Sequence, residues 1–569
     1  MRAPVTDPDA LARQLGVRPL VARLMANRGV ATEGAGGWLA PSLRDLPDPR
    51  NLVDMDVAAD RLIAAIDASE KIVVHGDYDV DGCTSTAVLV HFLRRLGADV
   101  HWYAPHRIRD GYGIQPATME RLAGEGAKVV ITCDNGTSAH EAIATGNAHG
   151  VHTVVVDHHR LPPELPEAHA ILNPKRDGDG NPFADLAAVG VSFMLLIAIR
   201  SRLRDRGDFA SRPQPDLREY LPTVALGTVA DLAPLSGVNR ILVAAGLRRM
   251  RGTNHAGLRA LLEVARLSPD DEVKASHLGF QLGPRINAAG RLDEAARAVE
   301  LLLSEDEGAA QALAELLDAT NTRRRELERQ VEDASIEQAL SLDLSGPGGL
   351  VLWSDDWHPG VIGIVASRVM RHFWRPALLL TVRDGVAVGS GRAIPGVDLF
   401  DVLRRHEEFF VRYGGHRAAA GMTVPVDRLP ALREAFAEAA FADVAAEAWE
   451  PSVLVDAEVD LADVDWDLYG TMRRLAPFGL GNAEPTFCAT SLRALGVKEL
   501  SGGKGLRMRL RGAEGPALSA VGWDLGVEPD ELQGDVDALF TLQENTWRGH
   551  TSLELRLRDL RPSSPAVRG

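Results

Sequence analysis

The sequence predicts an α/β protein of several domains: a domain with a parallel β-sheet, a long connecting helix, a second α/β domain and a small β-barrel. The parallel sheet is predicted by short apolar runs rich in β-branched residues at 72–74, 129–132 and 153–156, with helix-like segments such as 84–96 between them. Strands that alternate with helices form βαβ units, whose sheet is covered on both faces. The length of 569 residues also favours several domains over one core.

The other elements follow from local patterns along the chain. Residues 1–50 are rich in Pro, Ala and Leu and predict a small helical N-terminal extension. Residues 297–342 keep helical apolar spacing with almost no turn residues, which predicts one long helix or two. A second α/β block opens with the apolar run 349–353. After Pro451, strand-like runs separated by Gly and Pro fit a small closed barrel; they are 453–459, 486–496, 505–511, 516–523, 536–543 and 551–560.

Composition limits the classes of function. Acidic residues number 79 and basic residues 62, so the net charge is −17, which excludes a polybasic nucleic-acid binder but not a local basic groove. Cys83, Cys133 and Cys488 form no pair at metal-ligand spacing, and this sparse usage favours a reducing cytoplasm over a disulfide framework. With no apolar run of about 18 residues and no secretory signal pattern, we expect neither a transmembrane helix nor association with a membrane.

The strongest chemical signal lies in residues 71–86, KIVVHGDYDVDGCTST. An apolar strand runs directly into His75, Asp77, Asp79 and Asp81. Three carboxylates at alternate positions repel one another, so this arrangement is costly unless cations are bound. Parallel sheets also bind their ligands at the carboxyl ends of the strands, where these residues lie. An exposed acidic loop or a group of helix-capping residues is the alternative interpretation.

Two more strands and one apolar segment deliver further ligands. Asp134 follows the second apolar run, and Asp157, His158 and His159 follow the third. Asp231 stands in an otherwise apolar segment, where a buried carboxylate needs a partner. Each of these also has an ordinary interpretation: a turn-forming Asp, an exposed histidine pair and a helix-capping Asp.

Because the strands belong to one predicted sheet, we expect these acids and histidines to converge at one edge. Six or seven oxygen and nitrogen donors suit two divalent ions about 3.5–4 Å apart with a shared carboxylate, an arrangement that activates water and holds a phosphoryl group. The mixed Asp/His set favours manganese(II) over calcium, with magnesium(II) as the other candidate. The chain has no GxxxxGK[ST] loop, which argues against a Walker-type ATPase.

The segments HGDYDVDG, CDNG, VDHH and GTVADLAPL resemble, in order and spacing, motifs one to four of the DHH phosphoesterase superfamily. Within it the chain is most similar to a bacterial family of single-strand-specific 5′→3′ exonucleases, over roughly residues 50–560. We therefore divide the chain into five parts: an N-terminal extension (1–50), a DHH catalytic domain (51–296), a connecting helix (297–346), a DHH-associated substrate-binding domain (347–448) and an oligonucleotide-binding (OB-like) barrel domain (449–569).

The resemblance implies a role for each ligand. His75, Asp79 and Asp134 would hold one metal ion. The other ion would be held by Asp81, Asp134, His158 and Asp231, so that Asp134 would bridge the two ions. Asp77, Asp157 and His159 would support the ligands or face the substrate. The expected catalytic residues are Asp79, Asp81, Asp134, His158, His159 and Asp231.

The second α/β block carries a phosphate-binding pattern. Residues 358–417 contain nine Arg and five acidic residues, so this block is locally basic. The segments GSGR at 389–392 and GGH at 414–416 suit phosphate recognition, although Gly in packing turns and Arg on a solvated face would produce the same pattern. By resemblance, Ser390, Arg392 and His416 would contact phosphate and face the metals across a cleft. Arg109 and Arg285, in two further family-like segments, would also contact the substrate.

The predicted barrel carries a basic run, KGLRMRLR at 504–511, and aromatic residues that would stack on bases or fill the core: Trp523, Phe540 and Trp547. The resemblance implies an exonuclease for single-stranded DNA that acts in repair and recombination. We expect a cytoplasmic monomer whose partners include a single-strand-binding protein and a helicase. The alternatives are a DHH phosphodiesterase or pyrophosphatase for small nucleotides and a non-catalytic scaffold of a replication complex.

Overall fold

The computed structural model describes residues 1–107, 109–178, 180–268, 271–292, 294–344, 348–438, 444–500 and 505–563. The chain divides into two compact units, each with hydrophobic clusters of its own. The first unit comprises Met1–Pro105, Asp110–Gly283 and Leu454–Gly569, and the second comprises His106–Arg109 and Pro284–Val453. Within the described residues, no helix combines the length and the apolar character needed to cross a membrane. The domain limits expected from the sequence stay predictions.

The first unit contains a five-stranded sheet whose strands all run parallel. Its strands are β1 (Ile72–His75), β2 (Val100–Tyr103), β3 (Val129–Cys133), β4 (His152–Val156) and β5 (Ala170–Leu172). They lie side by side in the order β2-β1-β3-β4-β5. Strands β1 and β3 are buried along their whole length, which explains why their sequences are continuously apolar rather than alternating. The predicted parallel sheet is confirmed.

Helices surround this sheet. Those described in the first unit before residue 283 are α1 (Pro8–Leu15), α2 (Pro19–Ala26), α3 (Ala35–Leu39), α4 (Met55–Asp67), α5 (Val80–Arg95), α6 (Pro116–Gly124), α7 (His140–Ala148), α8 (Ala188–Arg206), α9 (Leu221–Ala230), α10 (Gly237–Met250), α11 (Ala256–Val264) and α12 (Ala275–His277). Helix α5 begins directly after β1, where Asp79 accepts a hydrogen bond of 3.1 Å from the backbone N–H of Gly82. A Cβ atom on Gly82 would lie 2.5 Å from the backbone nitrogen of Asp77, so only glycine lets the helix start this close to the strand.

The second unit contains a mixed five-stranded sheet and the long helix predicted from the sequence. Its helices are α13 (Gly283–Leu292), which begins at the last residue of the first unit, α14 (Ala296–Leu303), α15 (Glu307–Leu340), α16 (Pro359–Phe373), α17 (Leu399–Arg405) and α18 (Leu429–Glu438). Its strands are β6 (Leu350–Ser354), β7 (Ala377–Arg383), β8 (Val386–Arg392), β9 (Arg412–His416) and β10 (Ala419–Pro425), in the order β6-β7-β8-β10-β9. The segment predicted as one long helix or two forms two helices, α14 and α15. A new helix begins after Asp306, whose side chain caps α15 by accepting a hydrogen bond of 2.7 Å from the backbone of Ala309.

The C-terminal part of the first unit is a closed barrel. Its elements are β11 (Ala457–Glu458), α19 (Trp466–Arg473), β12 (Phe487–Glu499), β13 (Gly505–Arg511), β14 (Leu518–Trp523), β15 (Asp535–Trp547) and β16 (His550–Pro562). The strand order is β11-β12-β13-β14-β16-β15, and an additional pairing between β12 and β15 closes the barrel. The predicted small closed barrel is therefore confirmed.

The N-terminal helices belong to the core of this barrel. Buried residues of α1 and α2, including Leu11 and Leu24, lie in the same hydrophobic cluster as Phe540 of β15. A buried ion pair of 3.2 Å joins Arg28 to Asp456, whose side chains are 1% and 2% exposed. Because removing one partner of a buried pair leaves an uncompensated charge, this contact fixes the N-terminal segment against the residues that lead into the barrel. The predicted extension is helical, but it does not stand apart from the barrel.

Candidate metal centre

The candidate site lies at the carboxyl ends of the central strands. In the order β2-β1-β3-β4-β5, the strand connections leave β1 and β3 in opposite directions, which opens a crevice between those two strands. His75 ends β1, while Asp134 and Asp157 directly follow β3 and β4. Asp231 comes from the end of helix α9. The fold therefore brings together acids and histidines that are far apart in sequence.

His158 stands at the middle of this group. Its Nε2 atom lies 3.2 Å from a carboxylate oxygen of Asp134, 3.6 Å from one of Asp231 and 3.8 Å from one of Asp81. These four side chains come from four separate parts of the chain. Such separations are those of donors that surround a common cation.

The donor atoms fall into three overlapping groups, and the atoms of each lie within 4.8 Å of one another. The groups are Asp134 with His158 and His159, Asp81 with His158 and Asp231, and Asp77 with Asp79 and Asp134. Asp134 belongs to two groups, as a bridging carboxylate requires. Its backbone has a φ of 62°, a left-handed conformation that Asp adopts more readily than most residues other than glycine.

The backbone at the start of α8 holds Asp81 in place. One of its carboxylate oxygens accepts a hydrogen bond of 2.7 Å from the N–H of Ala188, and the other accepts one of 2.8 Å from Val189. The first N–H groups of a helix have no partner within the helix and carry partial positive charge. The helix therefore fixes Asp81, and its two hydrogen bonds partly offset the effects of burial and of Asp79, which raise the pKa of this carboxyl.

Asp157 orients the two histidines instead of joining any of the donor groups. One of its oxygens accepts hydrogen bonds from the backbone N–H of His158 at 2.7 Å and of His159 at 3.1 Å, and from Nδ1 of His159 at 2.7 Å. The other accepts a bond of 3.0 Å from the backbone of Thr137. The supporting role expected for Asp157 stays a prediction.

The carboxylates raise one another's pKa values. Burial and the charge of Asp79 raise the pKa of Asp81 to about 7, and burial and the charge of Asp81 raise that of Asp231 to about 9. Burial and neighbouring acids also hold the pKa of Asp134 well above its usual range. Burial lowers the pKa of His158 to about 4, which leaves a neutral imidazole that can coordinate a cation. Neutralising this cluster at physiological pH requires cations or protons.

His75 lies apart from the three donor groups. Its side chain is fully buried, and neither ring nitrogen has a hydrogen-bonding partner among the described residues. It belongs to none of the three donor groups found in the described chain, and Asp77 instead joins Asp79 and Asp134. Burial lowers the pKa of His75 to about 4, so its ring is neutral at physiological pH. A ligand role for His75 stays a prediction, and the geometry adds Asp77 to the candidate ligands.

Two residues contact the site that were not among those expected from the sequence. Asn173 donates hydrogen bonds of 3.1 Å to Oγ1 of Thr137 and 2.9 Å to the carbonyl of His159. The hydroxyl of Tyr112 donates a bond of 3.1 Å to the backbone carbonyl of Asp134. Asn173 follows β5, a strand of three residues that is too short to produce a pattern, so the sequence gives no signal for it.

The second unit places three predicted phosphate-binding residues on one face of its sheet. The strand register sets Arg392 beside Ala419, and Ala419 beside His416 on the next strand. Ser390 lies two residues before Arg392 on β8 and therefore points to the same face. Among the described residues, no carboxylate lies within ion-pairing distance of the half-buried Arg392 guanidinium, which donates to the carbonyl of Gly391 at 2.7 Å.

The other two predicted substrate-binding arginines are engaged with acids of the second unit. Arg109 is largely exposed and lies 3.8 Å from Glu294. Arg285 is buried and forms an ion pair of 2.8 Å with Asp318. Their roles stay predictions.

The barrel aromatics divide into two kinds. Phe540 is fully buried against Phe487, with ring centroids 6.0 Å apart, so it belongs to the core. Trp523 and Trp547 are 51% and 70% exposed. The arginines of β13 alternate with buried residues and are exposed, whereas Lys504 of the predicted basic run lies outside the described residues.

Family models match three parts of the chain: "DHH family, N-terminal domain" at residues 71–228, "DHHA1 domain" at 346–441 and "RecJ OB domain" at 455–559. The single-stranded-DNA-specific exonuclease RecJ of Dickeya dadantii is 38% identical over 558 residues, which cover 95% of this chain and 96% of that protein. The protein of the same name from Escherichia coli is 35% identical over 559 residues, with 96% of each chain covered.

Among solved structures, RecJ from Thermus thermophilus in complex with Mn²⁺ matches with a TM-score of 0.82 and 32% sequence identity. The match covers 98% of this chain and 78% of that one. Likeness over nearly the whole length, together with the Asp and His donors at the carboxyl edge of the parallel sheet, shows that this chain belongs to the RecJ family of DHH proteins.

Proposed function

We propose that this protein is a metal-dependent exodeoxyribonuclease that hydrolyses phosphodiester bonds of single-stranded DNA in the 5′→3′ direction, in DNA repair and recombination. The observation that carries the proposal is the position of His158, whose Nε2 lies within 3.8 Å of Asp81, Asp134 and Asp231. Curated relatives of full length are named single-stranded-DNA-specific exonucleases.

The donor set fits two divalent ions, manganese(II) first and magnesium(II) second. Buried carboxylates that raise one another's pKa values need positive charge beside them, and a neutral His158 suits a transition metal better than calcium. We assign Asp134 as the shared ligand because it is the carboxylate that belongs to two of the donor groups, and a carboxylate has two oxygens to offer. Asp79, with Asp77 or His75, would complete one site, while Asp81, His158 and Asp231 would complete the other.

When bound, a pair of divalent ions supplies a nucleophile at neutral pH and neutralises the charge that develops on the phosphate. The residues of this chain do the remaining work. Asp157 fixes the ring of His159 through Nδ1. Burial would lower the pKa of His159, but the hydrogen bond to Asp157 and its charge outweigh burial and raise it. We propose that the protonated Nε2 of His159 donates its proton to the leaving oxygen of the cleaved bond.

Strand binding would rest on the second unit and on the barrel. Arg392 presents a fork of donors on the same sheet face as Ser390 and His416, a set that fits a phosphate group. Arg109 and Arg285 would add further phosphate contacts. The exposed arginines of β13 and the exposed rings of Trp523 and Trp547 would bind the strand beyond the cleaved bond.

The decisive experiment compares substrates of different length. The purified protein with manganese(II) should release nucleotides from a long single strand, and a bulky block on the 5′ end should stop the reaction while a block on the 3′ end should not. Cleavage of dinucleotides or pyrophosphate alone would replace this proposal with a small-nucleotide phosphodiesterase. Absence of any hydrolysis together with absence of bound metal would support a scaffold.

The cellular setting is the remaining part of the proposal. We propose a cytoplasmic monomer that receives its substrate from a helicase and a single-strand-binding protein. Sedimentation at equilibrium tests the monomer. Stimulation of degradation on strands covered with single-strand-binding protein tests that partner.

A further inference from the structure

Lys175 lies at the edge of the metal centre and has no role in the assignments above. It belongs to a short 3-10 helix, Pro174–Asp177, that follows strand β5. Its Nζ atom donates a hydrogen bond to the backbone carbonyl of His158, the histidine surrounded by Asp81, Asp134 and Asp231. The ammonium group therefore lies against the backbone of His158, which is itself a candidate ligand.

The segment that carries Lys175 is fixed on both sides. The side chain of Asn173 accepts a hydrogen bond of 3.0 Å from the backbone N–H of Lys175 and donates to Thr137 and His159. Asn181 donates a bond of 2.7 Å to the carbonyl of Pro174. The backbone position of Lys175 is therefore set by the same loops that carry the ligands.

The charges around Lys175 explain why a cation is useful there. The charged groups that act on its ammonium include Asp157, Asp185, Arg160 and Asp231, and His158 and His159 also interact with it. The centre contains six aspartates, and when ionised they outnumber the four positive charges of two divalent ions together with the one of protonated His159; they are Asp77, Asp79, Asp81, Asp134, Asp157 and Asp231. An incoming phosphodiester adds a further negative charge, so an anionic strand meets an anionic centre unless another cation is present.

We propose that Lys175 binds a non-bridging phosphate oxygen of the DNA strand beside the metal centre, and that its hydrogen bond to the carbonyl of His158 fixes the ammonium for this contact. An ammonium group has three donors, and the carbonyl of His158 uses one. The residue is exposed at the surface, so a strand can reach the other two. This inference rests on the proposed function, since it needs a DNA strand at the site.

The test combines a protein variant in which an uncharged residue replaces Lys175 with DNA strands in which one phosphate linkage carries no charge. Lys175→Met should raise KM for a single strand about tenfold or more with little change in kcat, since a hydrogen bond to a charged group is lost. Strands with one methylphosphonate linkage, placed in turn at each position near the 5′ end, should reveal one position at which the wild type suffers the same rise in KM. At that position Lys175→Met should suffer no additional rise.

Two control variants separate this contact from other effects. Lys175→Arg keeps the charge and should recover most of the affinity. Arg160→Met removes a neighbouring exposed charge and should weaken binding without selecting any linkage. If Lys175→Met remains as sensitive as the wild type at every linkage, or if it loses bound manganese in proportion to activity, Lys175 only supports His158 and the proposal is wrong. A wild type that degrades no single strand would instead overturn the proposed function.

Discussion

The ring of His159 donates a hydrogen bond of 2.7 Å from Nδ1 to the carboxylate of Asp157. Burial would raise the pKa of Asp157, but the bonds from His159 and Thr137 outweigh it and hold the pKa well below its usual range. In return, the carboxylate raises the pKa of His159. The pair is therefore an ionised acid with a histidine that retains its proton to higher pH than usual.

Replacing Asp157 with Asn should separate the positioning of His159 from metal binding. Because the charge that raises the pKa of His159 is lost, the alkaline limb of the pH profile of kcat/KM should move to lower pH. We expect the rate to fall by about 10- to 100-fold, as for other groups that orient a histidine at a metal site. The measurement is kcat/KM across the pH range together with manganese content.

The exposed Asp185, whose carboxylate accepts a bond of 3.3 Å from Ser236, provides the control. Asp185→Asn should leave the pH profile in place. A profile that moves equally in both variants, or an unchanged profile in Asp157→Asn, would remove His159 as the proton donor.

Asp134→Ala should abolish cleavage while leaving the fold intact. Asp134 contributes to two of the donor groups, so its loss removes a ligand from both proposed ions. It is buried and its pKa is raised by burial and by neighbouring acids, so its removal relieves repulsion in the metal-free protein. We expect no hydrolysis, loss of bound manganese and an unchanged circular dichroism spectrum. Substantial residual nuclease activity would contradict the bridging assignment.

Stability without metal should fall as the pH rises. Asp231 has a pKa of about 9 in the folded protein against an ordinary value of 3.8, so the folded state binds more protons than the unfolded state between these values. A raised pKa contributes stability that is present below about 4 and is lost as the pH rises through about 9. Manganese needs ionised carboxylates, so the rise in Tm that it causes should be larger at about pH 8 than at about pH 5.

Thermal unfolding in a chelator and in manganese, at several pH values, measures both effects. The Asp231→Asn variant has no ionisable group at this position, so its Tm without metal should fall less steeply as the pH rises. Equal slopes for the wild type and this variant would mean that other groups set the pH dependence.

The parts of the fold that could be predicted from the sequence are those with a strong local pattern. β1, β3 and β4 are almost wholly buried, so each gives a continuous apolar run, and the polar residues after them mark one sheet edge. Strand β2 is half-exposed and β5 has three residues, so neither stands out. The packing of the N-terminal helices into the barrel core joins segments more than 400 residues apart, which local patterns cannot reveal.

The candidate site also contains some residues whose position could be predicted from the sequence and others whose position could not. Strand ends deliver Asp134 and Asp157 to one edge, as expected from the alternation of strands and helices. Beyond the end of β1, however, the chain turns into helix α5, and side-chain direction no longer follows the alternation of a strand. The sequence therefore could not show that Asp77 would lie with Asp79 and Asp134 while His75 would be buried, with no hydrogen-bonding partner among the described residues.

Arg240→Met should destabilise the first unit. This arginine of α10 is 2% exposed and donates to the carbonyls of Trp38 at 2.9 Å, Leu475 at 3.0 Å and Ala476 at 2.8 Å. Its guanidinium also stacks 4.0 Å from the ring of Trp38. The carbonyl of Leu475 keeps a second donor in Asn482 at 2.8 Å, but leaving the partly buried carbonyls of Trp38 and Ala476 without this donor should cost about 2 kcal/mol or more. The midpoint of urea unfolding measures the loss, and a change no larger than that of exposed Arg248→Met would show that the contacts contribute little.

Arg392→Ala should weaken strand binding without disturbing the metal centre. The guanidinium is half-buried on the sheet face that also carries Ser390 and His416, and among the described residues no carboxylate lies within ion-pairing distance of it. Loss of a charge-assisted bond to phosphate should raise KM about tenfold or more. Manganese content should equal that of the wild type, because no donor group found in the described chain contains a residue of the second unit.

Arg383→Ala is the matched control for this prediction, since Arg383 is an exposed arginine on the neighbouring strand β7. It should change KM only slightly, as expected for a charge that acts at a distance through solvent. If Arg392→Ala loses as much manganese as Asp134→Ala, the guanidinium stabilises the protein rather than the bound strand. If both arginine variants raise KM equally, the second unit attracts the strand by its overall charge, and the assignment of a phosphate contact to Arg392 is wrong.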